Sequence, residues 1–102
     1  MRITVIARHC DVADELRDRG RAVLDRLEKR ARRAQGAQVI FSEAHGMCRV
    51  ELRLGDARSG AHLASADAAD HRTALDRAAA RLRRQFDKAV PKRRRTGART
   101  AQ

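Results

Sequence analysis

Polar and apolar residues alternate through residues 2–8, with Ile3, Val5 and Ala7 on one side and Arg2, Thr4 and Arg8 on the other. That two-residue period predicts a strand buried mainly on one face, with Ile6 an apolar interruption of its wet side. From Val12 to about Ala34 the period lengthens. Leu16, Gly20, Val23, Leu27 and Ala31 recur at helical spacing and form one stripe. Asp11 is the expected N-cap, and Asp14 and Glu15 fall in the first turn, where the helix dipole favours negative charge. Asp25–Lys29 and Glu28–Arg32 are spaced as i,i+4 pairs on the solvent side, and Gly36 is the expected stop.

Residues 37–43, AQVIFSE, are a β-branched and aromatic run, followed by a His45-Gly46 turn. In residues 47–54, Cys48, Val50, Leu52 and Leu54 alternate strictly with Arg49, Glu51 and Arg53, which predicts a strand with one wet face. A turn over 55–60 leads to a short strand at 61–66. A second helix is expected to start between Asp67 and Asp70 and to run to about Val90. Leu75, Ala78, Ala79, Leu82, Phe86 and Val90 face inward, and Pro91 ends the helix. The order β-α-β-β-β-α, with one apolar face per strand and two amphipathic helices, predicts an α+β two-layer sandwich. Its four-stranded sheet carries both helices on one face, an outline shared with double-stranded RNA-binding domains. One domain over residues 1–90 and a basic, disordered tail over 91–102 fit the 102-residue length.

Charge then narrows the partners. The 24 Lys and Arg residues outnumber the 13 Asp and Glu, giving a formal net charge of +11 and a sequence pI near 11.5. Only Lys29, Lys88 and Lys92 are lysine; the rest are arginine, whose planar fork grips phosphate oxygens in pairs. A polyanion is the expected partner, nucleic acid before membrane surface. No apolar run approaches the ~18 residues of a membrane span, and the short N-terminal apolar stretch does not read as a signal peptide. These features predict a cytoplasmic protein with Cys10 and Cys48 as free thiols. Tyr and Trp are absent, and both Phe41 and Phe86 fall at core positions. Base stacking is therefore not the expected mode, and recognition should rest on RNA shape and phosphates.

On the second helix Arg77, Arg81, Arg84 and Lys88 recur along one line, with Arg83 and Arg72 nearby. The plain alternative is a solvated face, but solvated faces mix signs, and Asp87 is the only acid between residues 77 and 88. Arg26, Lys29, Arg30 and Arg33 of the first helix extend the patch, and Lys92-Arg93-Arg94-Arg95 add charge beyond it. Nothing argues for catalysis or a cofactor. His9-Cys10 and His45-x-x-Cys48 lack the paired spacings of zinc sites, so no metal is expected, and Asp67 and Asp70 read as caps. No phosphate loop or nucleophile elbow occurs, and no small-molecule substrate is implied.

Taken together, the opening ITVIARH, the stretch Asp70 through Ala74-Leu75-Asp76, and Arg81-Leu82-x-Arg84-Gln85-Phe86-x-Lys88 resemble the ribosome hibernation promoting factors, also called ribosome-associated translation inhibitors. The resemblance covers about residues 2–90. It implies a non-catalytic protein that binds ribosomal RNA in the decoding region of the small ribosomal subunit and blocks translation in stress or stationary phase. The family's RNA-contacting basic positions map onto Arg81, Arg84 and Lys88. Where members often carry an aromatic residue, a lysine and a tyrosine, this chain has Arg72, Val23 and Arg19. The chain resembles the short form, with no dimerisation domain of its own. Two other readings share the charge: a general double-stranded RNA or DNA compaction protein, and a regulatory module for an acidic protein.

Overall fold

The computed structural model describes residues 2–29, 34–56 and 60–89. Strands β1 (Arg2–Arg8), β2 (Ala34–Ala44), β3 (Met47–Asp56) and β4 (Gly60–Ala68) alternate with helices α1 (Asp14–Glu28) and α2 (His71–Ala89) in the order β-α-β-β-β-α. The strands form one sheet in sequence order. β1 lies parallel to β2, and β2–β3 and β3–β4 are antiparallel. α1 is the crossover that a parallel pair requires. The α+β sandwich with both helices on one face is therefore as expected.

Register explains which face is apolar. Val5 stands beside Val39, Val39 opposite Leu52, and Leu52 opposite Ala64; one step along, Ala7, Phe41, Val50 and Ala66 repeat the row. Both rows face the helices, and Val39, Phe41, Val50 and Leu52 are fully buried there. Leu24 and Leu27 of α1 and Leu75, Leu82 and Phe86 of α2 close the core from above. The interruption at Ile6 also has its reason. Ile6 pairs with Ile40 on the opposite, helix-free face, and Ile40 is buried there, so that face holds a small apolar island among polar side chains.

Small residues set the distance between layers. On β4 Ala64, Ala66 and Ala68 face Ala74, Ala78 and Ala79 of α2, all buried. On the other side, a Cβ at Gly20 would lie 3.2 Å from Val39 Cγ1 and 3.4 Å from Cγ2, so α1 rests almost directly on β2.

Three local expectations change. α1 begins at Asp14 with Ala13 as N-cap and no side-chain cap, because Val12 is buried and holds Asp11 outside the first turn. Within α1 the short-range ion pair is Arg21–Asp18 at 3.4 Å; the anticipated Asp25–Lys29 pair does not form, and Arg32 lies outside the described residues. The helix ends at Glu28 rather than near Ala34, and Gly36 is not its stop. Gly36 instead pairs with Arg2 and Gly55 inside β2, which begins at Ala34, and residues 30–33 lie outside the described residues. Val90, Pro91 and the tail over 91–102 lie outside the described residues.

The Gly20 contact is directly testable. Gly20→Leu should destabilise the domain by about 1–3 kcal/mol through overpacking, read as a lower urea midpoint by circular dichroism. An unchanged midpoint would show that α1 does not lie as close to β2 as described.

Candidate nucleic-acid interface

α2 is the rigid platform for the basic residues, and its start is well fixed. Asp70 accepts hydrogen bonds from the Thr73 backbone N–H at 2.8 Å and from the Thr73 hydroxyl at 3.2 Å. Asp70 is thus the N-cap, while Asp67 belongs to β4. The Thr73 hydroxyl and then its N–H stabilise the charged carboxylate and hold the Asp70 pKa below the ordinary carboxylate value.

The alanine contact brings α2 close enough for its side chains to reach the edge of the sheet. Arg77 donates from Nη1 to the Asp67 carbonyl at 3.0 Å. Arg81 donates to the Ser65 carbonyl, and Gln85 donates to that of Leu63. Donors four residues apart on the helix thus match carbonyls two residues apart on the strand, because both repeats run close to 6 Å. β4 is an edge strand, so these carbonyls have no neighbouring strand to satisfy them.

For charge the arrangement has a second meaning. A guanidinium bonded to a neutral carbonyl keeps its full charge and retains further N–H donors. Its stem is held, so less side-chain entropy remains to be given up when a phosphate docks. Arg84 follows the same line by its spacing and is exposed, and no carboxylate among the described side chains pairs with it. Residue 88 continues the line on the helix backbone, but the Lys88 side chain lies outside the described set, as do Arg30, Arg33 and Lys92.

Arg72 and Arg83 do not join this line. They project from the other flank of α2, toward α1. Arg83 lines a groove with Val23, Leu27 and Arg26, and Arg72 lines one with Leu16, Glu15 and Arg19. Helical geometry requires this split, since Arg83 is rotated by about 100° from Arg84 and about 160° from Arg81. The single patch expected from the sequence therefore becomes two: a β4-side line of Arg77, Arg81 and Arg84, and an interhelical pair of Arg26 and Arg83. Lys29 is exposed at the C-cap of α1.

An ion pair with reversed roles links the two helices. Arg19 of α1 makes a forked contact with the Asp76 carboxylate of α2, with N···O distances of 3.0–3.2 Å. Half-exposed pairs of this kind contribute less than about 1 kcal/mol. The contact uses a carboxylate of α2, and among the described side chains no salt bridge joins a carboxylate to Arg77, Arg81 or Arg84. Sequence reasoning missed Gln85 as part of the edge ladder, and also the arginines of the helix-free face. There Arg49 pairs with Asp67, and Arg53 pairs with Glu51.

This fold with a basic outer helix defines a class. The model of the Sigma 54 modulation protein / S30EA ribosomal protein family matches residues 3–94, and the chain belongs to that family, a ribosome-associated and translation-modulating one. It is not a family of known enzymes. The N-terminal domain of Protein Y from Thermus thermophilus is similar at 30% identity. That alignment covers 87% of this chain and 99% of that one, with a TM-score of 0.73. A ribosomal subunit interface protein from Coxiella burnetii shares the fold at 19% identity, covering 90% and 100% of the two chains with a TM-score of 0.76. No curated protein sequence matches.

The Asp70 cap gives a pH prediction. Its folded pKa is depressed, so its contribution is present above the unfolded value and is lost as pH falls through the lower folded value. Thermal melts in acid should therefore show a declining stability limb that Asp70→Ala makes shallower. An identical acid limb in the variant would remove Asp70 as its source.

Proposed function

We propose that this protein is a non-catalytic ribosome hibernation factor. It binds ribosomal RNA in the decoding region of the small subunit and blocks translation when cells are stressed or stationary. It acts in the cytoplasm, where ribosomes are. The observation that carries the reading is the line of Arg77, Arg81 and Arg84 on the β4 side of α2. Two of its guanidiniums are ordered by backbone carbonyls, and no described carboxylate forms a salt bridge with any of the three. Such a line suits a phosphate backbone followed along a groove. The interhelical Arg26 and Arg83, with Lys29 at the end of α1, offer a second row of contacts. Arg30, Lys88 and Lys92 extend the two rows in our reading. With both Phe residues buried, positioning comes from phosphates and RNA shape rather than from stacked bases.

The membership of the chain in the S30EA family and its similarity to Protein Y support the ribosome as partner. Sedimentation through a sucrose gradient tests it. The protein should co-migrate with small subunits or whole ribosomes. Recovery only with free nucleic acid would replace the reading with general RNA or DNA compaction.

Two variants separate charge from edge capping. Arg81→Glu with Arg84→Glu should abolish ribosome binding. Replacing Arg77, Arg81 and Arg84 by Gln keeps amide donors for the β4 carbonyls, as Gln85 already provides, but removes the charge. That triple variant should fold normally, and its log–log salt slope should be shallower by about 0.7–0.9 for each phosphate that it no longer neutralises. Wild-type affinity and slope in a folded triple variant would show that the line is only solvated surface.

A further inference from the structure

At the end of the sheet where α2 begins, three distant segments meet. Cys10 follows β1, Glu43 lies near the end of β2 and His71 opens α2. One ligand atom from each lies within 4.8 Å of the other two. His71 is buried, its ring edge-on to Phe41 with centroids 5.6 Å apart. Its Nε2 is 2.9 Å from the Ser42 carbonyl oxygen. A carbonyl only accepts, so Nε2 carries the proton in this bond and Nδ1 is the nitrogen able to offer a lone pair. A backbone carbonyl that holds the other ring N–H is a common way of orienting a metal-binding imidazole.

Cys48 stands directly opposite Glu43 in the β2–β3 register, on the same face of the sheet. Neither thiol is locked in place. Cys10 Sγ is 3.6 Å from the Phe41 carbonyl and Cys48 Sγ is 3.7 Å from that of Ala69, both long, weak contacts. Burial pushes the Cys10 thiol up, followed by Glu43, Cys48 and Asp11 and opposed by a hydrogen bond with the Arg8 backbone; burial and then Glu43 and Asp70 raise Cys48.

We propose that Cys10, Glu43 and His71, with Cys48 turning in as fourth ligand, form a zinc site. Two sulfurs, an imidazole nitrogen and a carboxylate oxygen are ligand types that a tetrahedral Zn²⁺ accepts. Zinc–ligand bonds of about 2.0–2.3 Å place neighbouring ligand atoms roughly 3.3–3.8 Å apart. Closing from the present separation takes side-chain rotation of Glu43, which is exposed, and of the partly exposed cysteines. Each thiol releases its proton to solvent as the thiolate binds metal. The site would join the β1–α1 junction, the β2–β3 hairpin and the start of α2, a staple suited to a small domain with a thin core. It lies roughly three or more helical turns from Arg81 and Arg84, while Arg77 is about one and a half to two turns from His71.

The test uses the full chain, reduced and metal-free, titrated with Co²⁺ and then Zn²⁺. Co²⁺ should give the visible absorption of a tetrahedral site and a thiolate charge-transfer band, and stoichiometric Zn²⁺ should bleach both. Zn²⁺ should raise the melting temperature in a concentration-dependent way. Cys10→Ser should abolish the spectrum, Cys48→Ser should remove about half of the charge-transfer intensity, and Glu43→Gln should weaken binding about ten-fold or more. Circular dichroism of each metal-free variant checks that it folds. The proposal is overturned if the folded, reduced chain gives only the pale spectrum of hydrated Co²⁺. Unchanged affinity in folded Cys10→Ser also overturns it.

Discussion

The close approach of α2 to β4 is the constraint on which the functional surface depends. It exists because six alanines face one another there: Ala64, Ala66 and Ala68 on the strand and Ala74, Ala78 and Ala79 on the helix. Larger side chains would have lifted the helix, and Arg77 and Arg81 would no longer reach the Asp67 and Ser65 carbonyls. The modest apolar contribution of each alanine is offset by this geometric gain. A chain poor in aromatics has thus traded bulk in the core for precise placement of charge above it.

Much of the architecture was legible because the periodicities are clean. The strict alternation in β3 and the helical stripe of α2 leave little freedom, and Asp70 was readable as a cap beside an apolar run. The boundaries of α1 were not. Local signals there favour a longer helix starting at Asp11, whereas burial of Val12 and the pairing of Gly36 with Arg2 and Gly55 decide otherwise. Both deciding effects are tertiary, and a single sequence window does not contain them. The parallel pairing of β1 with β2 belongs to the same class, since nothing local in either strand specifies the direction of its neighbour.

The functional surface shows the same division. Spacing alone aligned Arg77, Arg81 and Arg84, and the structure keeps them aligned. Spacing also separates Arg72 and Arg83 from that line, which counting basic residues along the chain concealed. What no spacing carried was the role of Gln85, visible only once β4 lies beside α2. Nor could spacing bring Cys10, Glu43 and His71 together, because the sequence-adjacent histidines point to a different set. His9 and His45 occupy left-handed turn positions and are exposed, and it is the sheet register that gathers the others.

The ladder on β4 has a consequence for how the protein keeps to itself. A bare sheet margin invites strands from other molecules, the first step toward fibrous aggregates. Here the groups that cover the margin are largely cationic, so they both occupy its acceptors and repel an approaching copy. Solubility and partner recognition consequently fall on the same few side chains. A change that weakens one also burdens the other.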